Sequence, residues 1–220
     1  MHSRLRRRGS LWVVAALGVV LAVLSIRGLA RRAEDVADEA ARLATLLELR
    51  PGMTVAEIGA GAGDFTVAIA QRLGPSGHMF STELDRNKLA EIRRAVDSAR
   101  RRNVTVVEAA ETTTNLPSAS CDAIVMRRVY HHLTHPARID ASLFDTLRPG
   151  GLLAVVDFEP TGGSVPPGVP ADRGGHGVHA QTVVDEGTAA GFTHVRTIRD
   201  WSRNLYLVLL RRPAASAGPG

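Results

Sequence analysis

Apolar residues recur at helical spacing between Glu34 and Leu49 (Val36, Ala40, Leu43, Leu46, Leu47), which predicts an amphipathic helix stopped by Arg50-Pro51-Gly52. Alternating units follow. Short apolar runs bounded by turn residues predict strands at Met53–Ile58, His78–Leu84, Val104–Glu108, Asp122–Met126 and Leu152–Phe158. Helical patterns fall between them: from a glycine-rich loop through Leu73, from about Arg86 to Arg101, and from about Pro136 to Leu147. Arg148–Gly151 reads as a turn, and Pro160–Val178 carries no period at all. A helix from about Ala180 to Ala190, with Gly191 as its C-terminal stop, precedes strands at Thr193–Asp200 and Asn204–Leu210. Strand–helix alternation closing on a hairpin predicts an α/β fold, with a mostly parallel sheet and one antiparallel strand.

One apolar run does not fit this scheme. Leu11–Ile26 holds sixteen uncharged residues after the basic stretch RLRRRGS. As a helix the run spans about 24 Å, short of the ~30 Å of a hydrocarbon core, and flanking residues can extend it. Residues 1–30 therefore read as a basic leader, either a retained signal-anchor or a signal peptide cleaved near Gly28–Ala30. The arginine balance around the run slightly favours a cytoplasmic N-terminus, which sends the domain across the membrane. Residues 31–212 form the folded domain, and 213–220 read as a disordered tail of small residues, Pro and Gly.

Charge changes the picture little. The chain of 220 residues carries 27 basic and 22 acidic groups, but seven of the arginines lie in residues 1–32, so the remainder is nearly neutral. Nucleic acid is not an expected partner. Arg100–Arg102 sit at a helix end, where cations complement the helix dipole. Cys121, the single cysteine, excludes an intramolecular disulfide.

The chemistry concentrates in VAEIGAGAGDF, Val55–Phe65. Gly59, Gly61 and Gly63 follow the first strand directly, at the sheet edge where open α/β folds bind ligands. A glycine loop alone does not name the ligand, since dinucleotide sites use similar glycines. Glu57 closes the strand, where its carboxylate organises the loop or meets a ligand ammonium. Asp64 sits at the following helix start, where a pyrophosphate would otherwise dock. Glu83 ends the second strand 20 residues beyond Gly63, a distance suited to bonding ribose hydroxyls. The pattern favours an adenosine ligand with a cationic amino-acid end and no phosphate.

EIGAGAGDF, TELD, VYHHL after the fourth strand and LRPGG before the fifth together resemble the class I S-adenosylmethionine-dependent methyltransferases, in particular the small-molecule type with a methyltransferase-11-like domain. The resemblance covers about Leu43 to Leu210. It implies a Rossmann-like seven-stranded sheet of order 3-2-1-4-5-7-6 with helices on both faces, and S-adenosyl-L-methionine across the first two strand ends. It assigns Glu57, Gly59, Gly61 and Gly63 to the methionine half and Glu83 to the ribose, with Ala60 and Leu84 among the cofactor-binding positions. Arg128 lies near the methionine half by its backbone. Relatives carry an acid for the adenine amino group after the third strand; here the stretch reads EAAETTTNLP, and Glu111 or Thr112 stands nearest to that role.

Tyr130, His131 and His132 would sit beside the transferred methyl, where a histidine near its neutral pKa suits a general base. The competing reading of these histidines is packing or capping at a helix start. His131, His132, His135, His176 and His179 lack the H-E-x-x-H pattern, and no metal ligands are assigned. The loop 160–178 reads as a lid over the acceptor. The expected function is methyl transfer from S-adenosylmethionine to a small-molecule or lipid-like acceptor, with membrane attachment through the leader and no assigned oligomeric state. A membrane-anchored or exported non-catalytic binding protein of the same fold is the alternative, and a nicotinamide-dependent oxidoreductase a weaker one.

Overall fold

The computed structural model describes residues 27–215, leaving out Leu29 and Arg32. Leu11–Ile26 and residues 216–220 lie outside the described residues. Among the described residues no helix is long and apolar enough to cross a membrane.

A helix runs unbroken over residues 33–46 (α1). The alternating units are β1 (Thr54–Ile58), α2 (Asp64–Leu73), β2 (His78–Glu83), α3 (Arg86–Ser98), β3 (Val104–Glu108) and β4 (Cys121–Arg127). A short 3-10 turn (Tyr130–His132), α4 (Pro136–Thr146), β5 (Leu147–Phe158), α5 (Ala180–Ala189), β6 (Thr193–Ser202) and β7 (Leu205–Arg211) complete the chain. The strands form one seven-stranded sheet of order β3-β2-β1-β4-β5-β7-β6, the order the resemblance implies. β7 alone runs antiparallel to its neighbours β5 and β6.

Apolar alternation along the strands builds two main cores, one per face, with a smaller cluster under α3 at Ile92 and Val96. Val55, Ala123, Val125, Ala154 and Leu207 pack with Leu43 of α1 and Phe65, Ile69 and Leu73 of α2. Their neighbours Ala56, Ile124, Met126, Val155 and Val208 face the other way, against Ile139 and Leu143 of α4 and Val183 of α5. Central strands covered on both faces must be apolar throughout, and IVM and LLAVV are.

Two boundaries differ from the sequence expectation. α3 ends at Ser98 rather than Arg101, because Arg100 turns into the left-handed region (φ 53) and the Arg101 N–H closes back onto the Val96 carbonyl at 3.0 Å. Arg148–Gly151 is not a free turn before β5. It is a bulge inside the strand, with Cys121 opposite Leu147 and Ala123 opposite Leu152. The Gly150 N–H bonds the Arg212 carbonyl and the Arg212 N–H bonds the Gly151 carbonyl, each at 2.9 Å. Pairing with the chain after β7 therefore extends the strand through the glycines.

Candidate active site

The glycine loop is fastened to the end of β2. The Gly59 and Ala60 N–H groups both donate to the Thr82 carbonyl at 3.0 Å, and the Gly61 N–H donates to the Glu83 carboxylate at 3.0 Å. The other Glu83 oxygen accepts the Leu84 N–H at 2.8 Å. Glu83 thus anchors the loop and holds its remaining lone pairs at the strand edge. At Gly61 the backbone is left-handed (φ 57), and a Cβ there would meet no atom within 4 Å. The loop turns a bare backbone toward open space, which is what a ligand approaching it closely requires.

That space is a cavity of about 730 Å³, bordered by the loop, the end of β4, α1 and the β6–β7 turn. Glu57, Gly59, Ala60, Gly61 and Arg128 line it, whereas Gly63, Glu83, Leu84 and Glu111 do not. Arg128 is exposed and left-handed (φ 56), its N–H bound to the Val156 carbonyl at 2.7 Å. Glu111 is exposed on a turn closed by the Ala110–Thr113 bridge.

The Glu57 carboxylate is tied to α2 and to the end of β4. The carboxylate is buried, accepts the Thr66 hydroxyl at 2.5 Å and lies 3.7 Å from the Arg127 guanidinium. Arg127 also pairs with Glu39 of α1 and stacks 4.3 Å over the Phe65 ring. Burial pushes the Glu57 pKa up to about 7, against the opposing pull of Arg127 and Thr66.

The three residues of the YHH turn part company. Tyr130 is fully buried, and its hydroxyl lies 2.7 Å from Asp140 on α4 and 2.9 Å from Glu186 on α5. One hydroxyl proton cannot serve two carboxylates. Burial raises Asp140 to about 7, so a protonated Asp140 can donate to the Tyr130 oxygen while Tyr130 donates to Glu186. Burial first, then these carboxylates, hold the phenol far above its ordinary pKa. Tyr130 therefore bolts α4 to α5 through its hydroxyl.

His131 is also buried, but its chemistry stays open. Its Nδ1 lies 2.8 Å from one Asp157 oxygen, and its N–H donates to the other at 3.2 Å. Its Nε2 is buried without a hydrogen-bond partner. His132 is exposed, with its pKa lowered by partial burial and then by repulsion from His131 and His176. The exposed His176 of the long loop stands over both, its ring 5.0 Å from His131 and 6.0 Å from His132. One nitrogen from each of the three lies within 4.8 Å of the other two. His179 turns to Glu159 instead, at 2.7 Å, and His135 precedes α4 outside the cluster.

Sequence reasoning missed Asp157 and Arg127 as partners. An acid in the apolar run LLAVVDF was the available signal for Asp157, since a buried carboxylate needs a partner. Nothing local in sequence pairs Arg127 with Glu39, 88 residues away.

Residues 56–153 match the family model described as "Methyltransferase domain". The protein-L-isoaspartate O-methyltransferase of Methanothrix thermoacetophila is 32% identical over 115 residues, 52% of this chain and 52% of that protein. The ubiquinone/menaquinone biosynthesis C-methyltransferase of Bordetella parapertussis is 34% identical over 111 residues, 50% of this chain and 42% of that protein. The chain thus spans about half the length of the curated relatives it matches. A SAM-dependent methyltransferase from Aquifex aeolicus superimposes with a TM-score of 0.65 at 21% identity, over 79% of this chain and 89% of that one. With the strand order, these show the fold of the class I S-adenosylmethionine-dependent methyltransferases.

Proposed function

We propose that the chain transfers a methyl group from S-adenosyl-L-methionine to a small-molecule or lipid-like acceptor, at a membrane to which residues 1–30 attach it. The observation that carries this reading is the bare backbone at Gly61 on the rim of the 730 Å³ cavity. The residues there fit the cofactor. Backbone at Gly59, Ala60 and Gly61 leaves room for its methionine half, and Asp35 and Asp38 of α1 give the rim a negative side for its ammonium. Glu83 lies outside the cavity lining but holds the Gly61 N–H, and from there it offers a carboxylate to the ribose. Bound there, the cofactor supplies an electrophilic methyl on a sulfonium.

The chain's own contribution is position. Methyl transfer is an in-line displacement, so holding donor and nucleophile in register supplies most of what an enzyme can add. The acceptor sits at the ends of β4 and β5, against His131, His132 and His176, beneath the loop 160–178. Calorimetry of the full-length chain with S-adenosylmethionine should show one-site binding; no heat at millimolar ligand overturns the reading. Glu83→Ala should weaken binding about 10- to 100-fold, because a charged hydrogen-bond partner of both loop and ribose is lost. Unchanged affinity rejects the ribose role. A periplasmic reporter fused after Gly220 tests the membrane side, and its activity would place the domain outside the cytoplasm.

A further inference from the structure

We propose that His131, His132 and His176 form a three-imidazole site for a divalent transition-metal ion of the zinc type, leaving one coordination position for the acceptor. Three neutral imidazoles with an open fourth position are a donor set such ions take in catalytic sites.

The buried histidine is prepared as a ligand. Asp157 accepts from His131 Nδ1 at 2.8 Å, and its second oxygen is held by the His131 N–H at 3.2 Å. With the proton on Nδ1, the lone pair stands on Nε2, the atom that is buried and unpartnered. A carboxylate behind an imidazole, fixing its tautomer and raising its basicity, is the outer-shell arrangement of metal-bound histidines.

The other two ligands come from either side. His132 follows directly in the chain. His176 arrives on the long loop, whose two strands pair backbone to backbone: Thr161 N–H to the His176 carbonyl at 3.0 Å, and His176 N–H to the Gly162 carbonyl at 3.2 Å. Gly175 permits this (φ 120), because a Cβ there would lie 2.9 Å from the Gly162 carbonyl carbon. Phe158 supports the trio from below, 4.6 Å from the His131 ring and 5.2 Å from His176. The three nitrogens lie within 4.8 Å of one another. Tetrahedral coordination asks for ~3.3 Å between nitrogens. His132 and His176 are exposed and can close the difference by small rotations. A merely packed aromatic cluster has no need to bring its ring nitrogens together.

The site itself does not depend on the methyltransferase reading; its role does. An acceptor oxygen bound to the ion sheds its proton to bulk water at a lowered pKa. Its lone pair then forms the O–CH3 bond as the S–CH3 bond breaks, leaving the neutral thioether. The substrate class is thus an acceptor with a hydroxyl, phenol or enediol oxygen.

The test uses the untagged full-length chain, stripped with chelator and titrated with Co²⁺. One equivalent should bind with the intense visible bands of a four- or five-coordinate ion, displaced by Zn²⁺. His132→Ala and His176→Ala change exposed residues, so their folds should persist by circular dichroism while affinity falls more than about 100-fold; Asp157→Asn should cost about 10- to 100-fold. Absence of the bands, or unchanged Co²⁺ affinity in the folded His132→Ala/His176→Ala double variant, overturns the site. S-adenosylmethionine affinity, measured on the same samples, should be unaffected by these variants. Co²⁺ bands in a chain that does not bind the cofactor would support the site and sink the methyltransferase reading instead.

Discussion

Glu57 shows how one buried group beside the glycine loop bears on stability. Its folded pKa stands near 7 against an ordinary 4.5. Between those values the folded chain holds a proton that the unfolded chain has released, so stability falls as pH rises through that window and levels off outside it. Asp140, raised to about 7 by burial, adds a change of the same sign. The shifts correspond to at most ~3 kcal/mol for Glu57 and ~4 kcal/mol for Asp140. Urea unfolding should therefore give a higher midpoint at about pH 5 than at about pH 8, and Glu57→Gln should shrink that difference. An identical difference in the variant would assign the pH dependence elsewhere. Not every residue role was legible at this scale. Glu83 and the glycines stand out because their spacing is local. Tyr130 shares its motif with His131 and His132, and only the packing of α4 and α5 shows that its hydroxyl points inward. His176 has no local signal, since its partners come from chain 44 to 45 positions earlier.

At the scale of elements, α1 is the piece that completes the cavity beside the glycine loop. It is held by buried Ala40 and Leu43, by the Arg127–Glu39 pair, and by Trp201, whose ring carries Arg42 at 4.0 Å and whose N–H reaches Glu39 at 3.4 Å. Removing Arg127 leaves Glu57 and Glu39 without their shared cation, so Arg127→Ala should cost about 3 kcal/mol in chemical unfolding. Adding Glu57→Gln should restore part of the loss, and strict additivity of the two changes would reject the coupling. Leu43→Ala should destabilise by roughly 2–4 kcal/mol, read by the same unfolding, because α1 and α2 close tightly over the sheet there. Helix and strand positions were legible because 3.6-residue periods alternate with short apolar runs bounded by turn residues along the chain. The Arg148–Gly151 bulge was not. Its pairing partner is Arg212, and register set by a distant strand leaves no mark in the local pattern.

The whole molecule places its two candidate chemistries on either side of the β4 end. The glycine loop and α1 border one side, and the histidine trio and the long loop border the other. Sheet order and the faces of the helices were readable from strand–helix alternation and from the family motifs. The histidine gathering was not, because it depends on how a loop without period folds back. If the trio binds metal, saturating Zn²⁺ should raise the thermal midpoint of the chain, by ~2.7 kcal/mol of stabilisation at one hundred times the dissociation constant. His176→Ala should abolish that rise.

β7 has a consequence for synthesis. It follows β6 in the chain yet inserts between β5 and β6, pairing Leu152–Phe158 on one edge and Thr193–Ser202 on the other. A growing polypeptide therefore exposes the apolar margin of β5 until residue 211 has cleared the ribosome. Folding of this half of the sheet therefore waits for β7. Nascent chains stalled shortly after β6 should be cut readily by protease within β5, and chains released past β7 should resist.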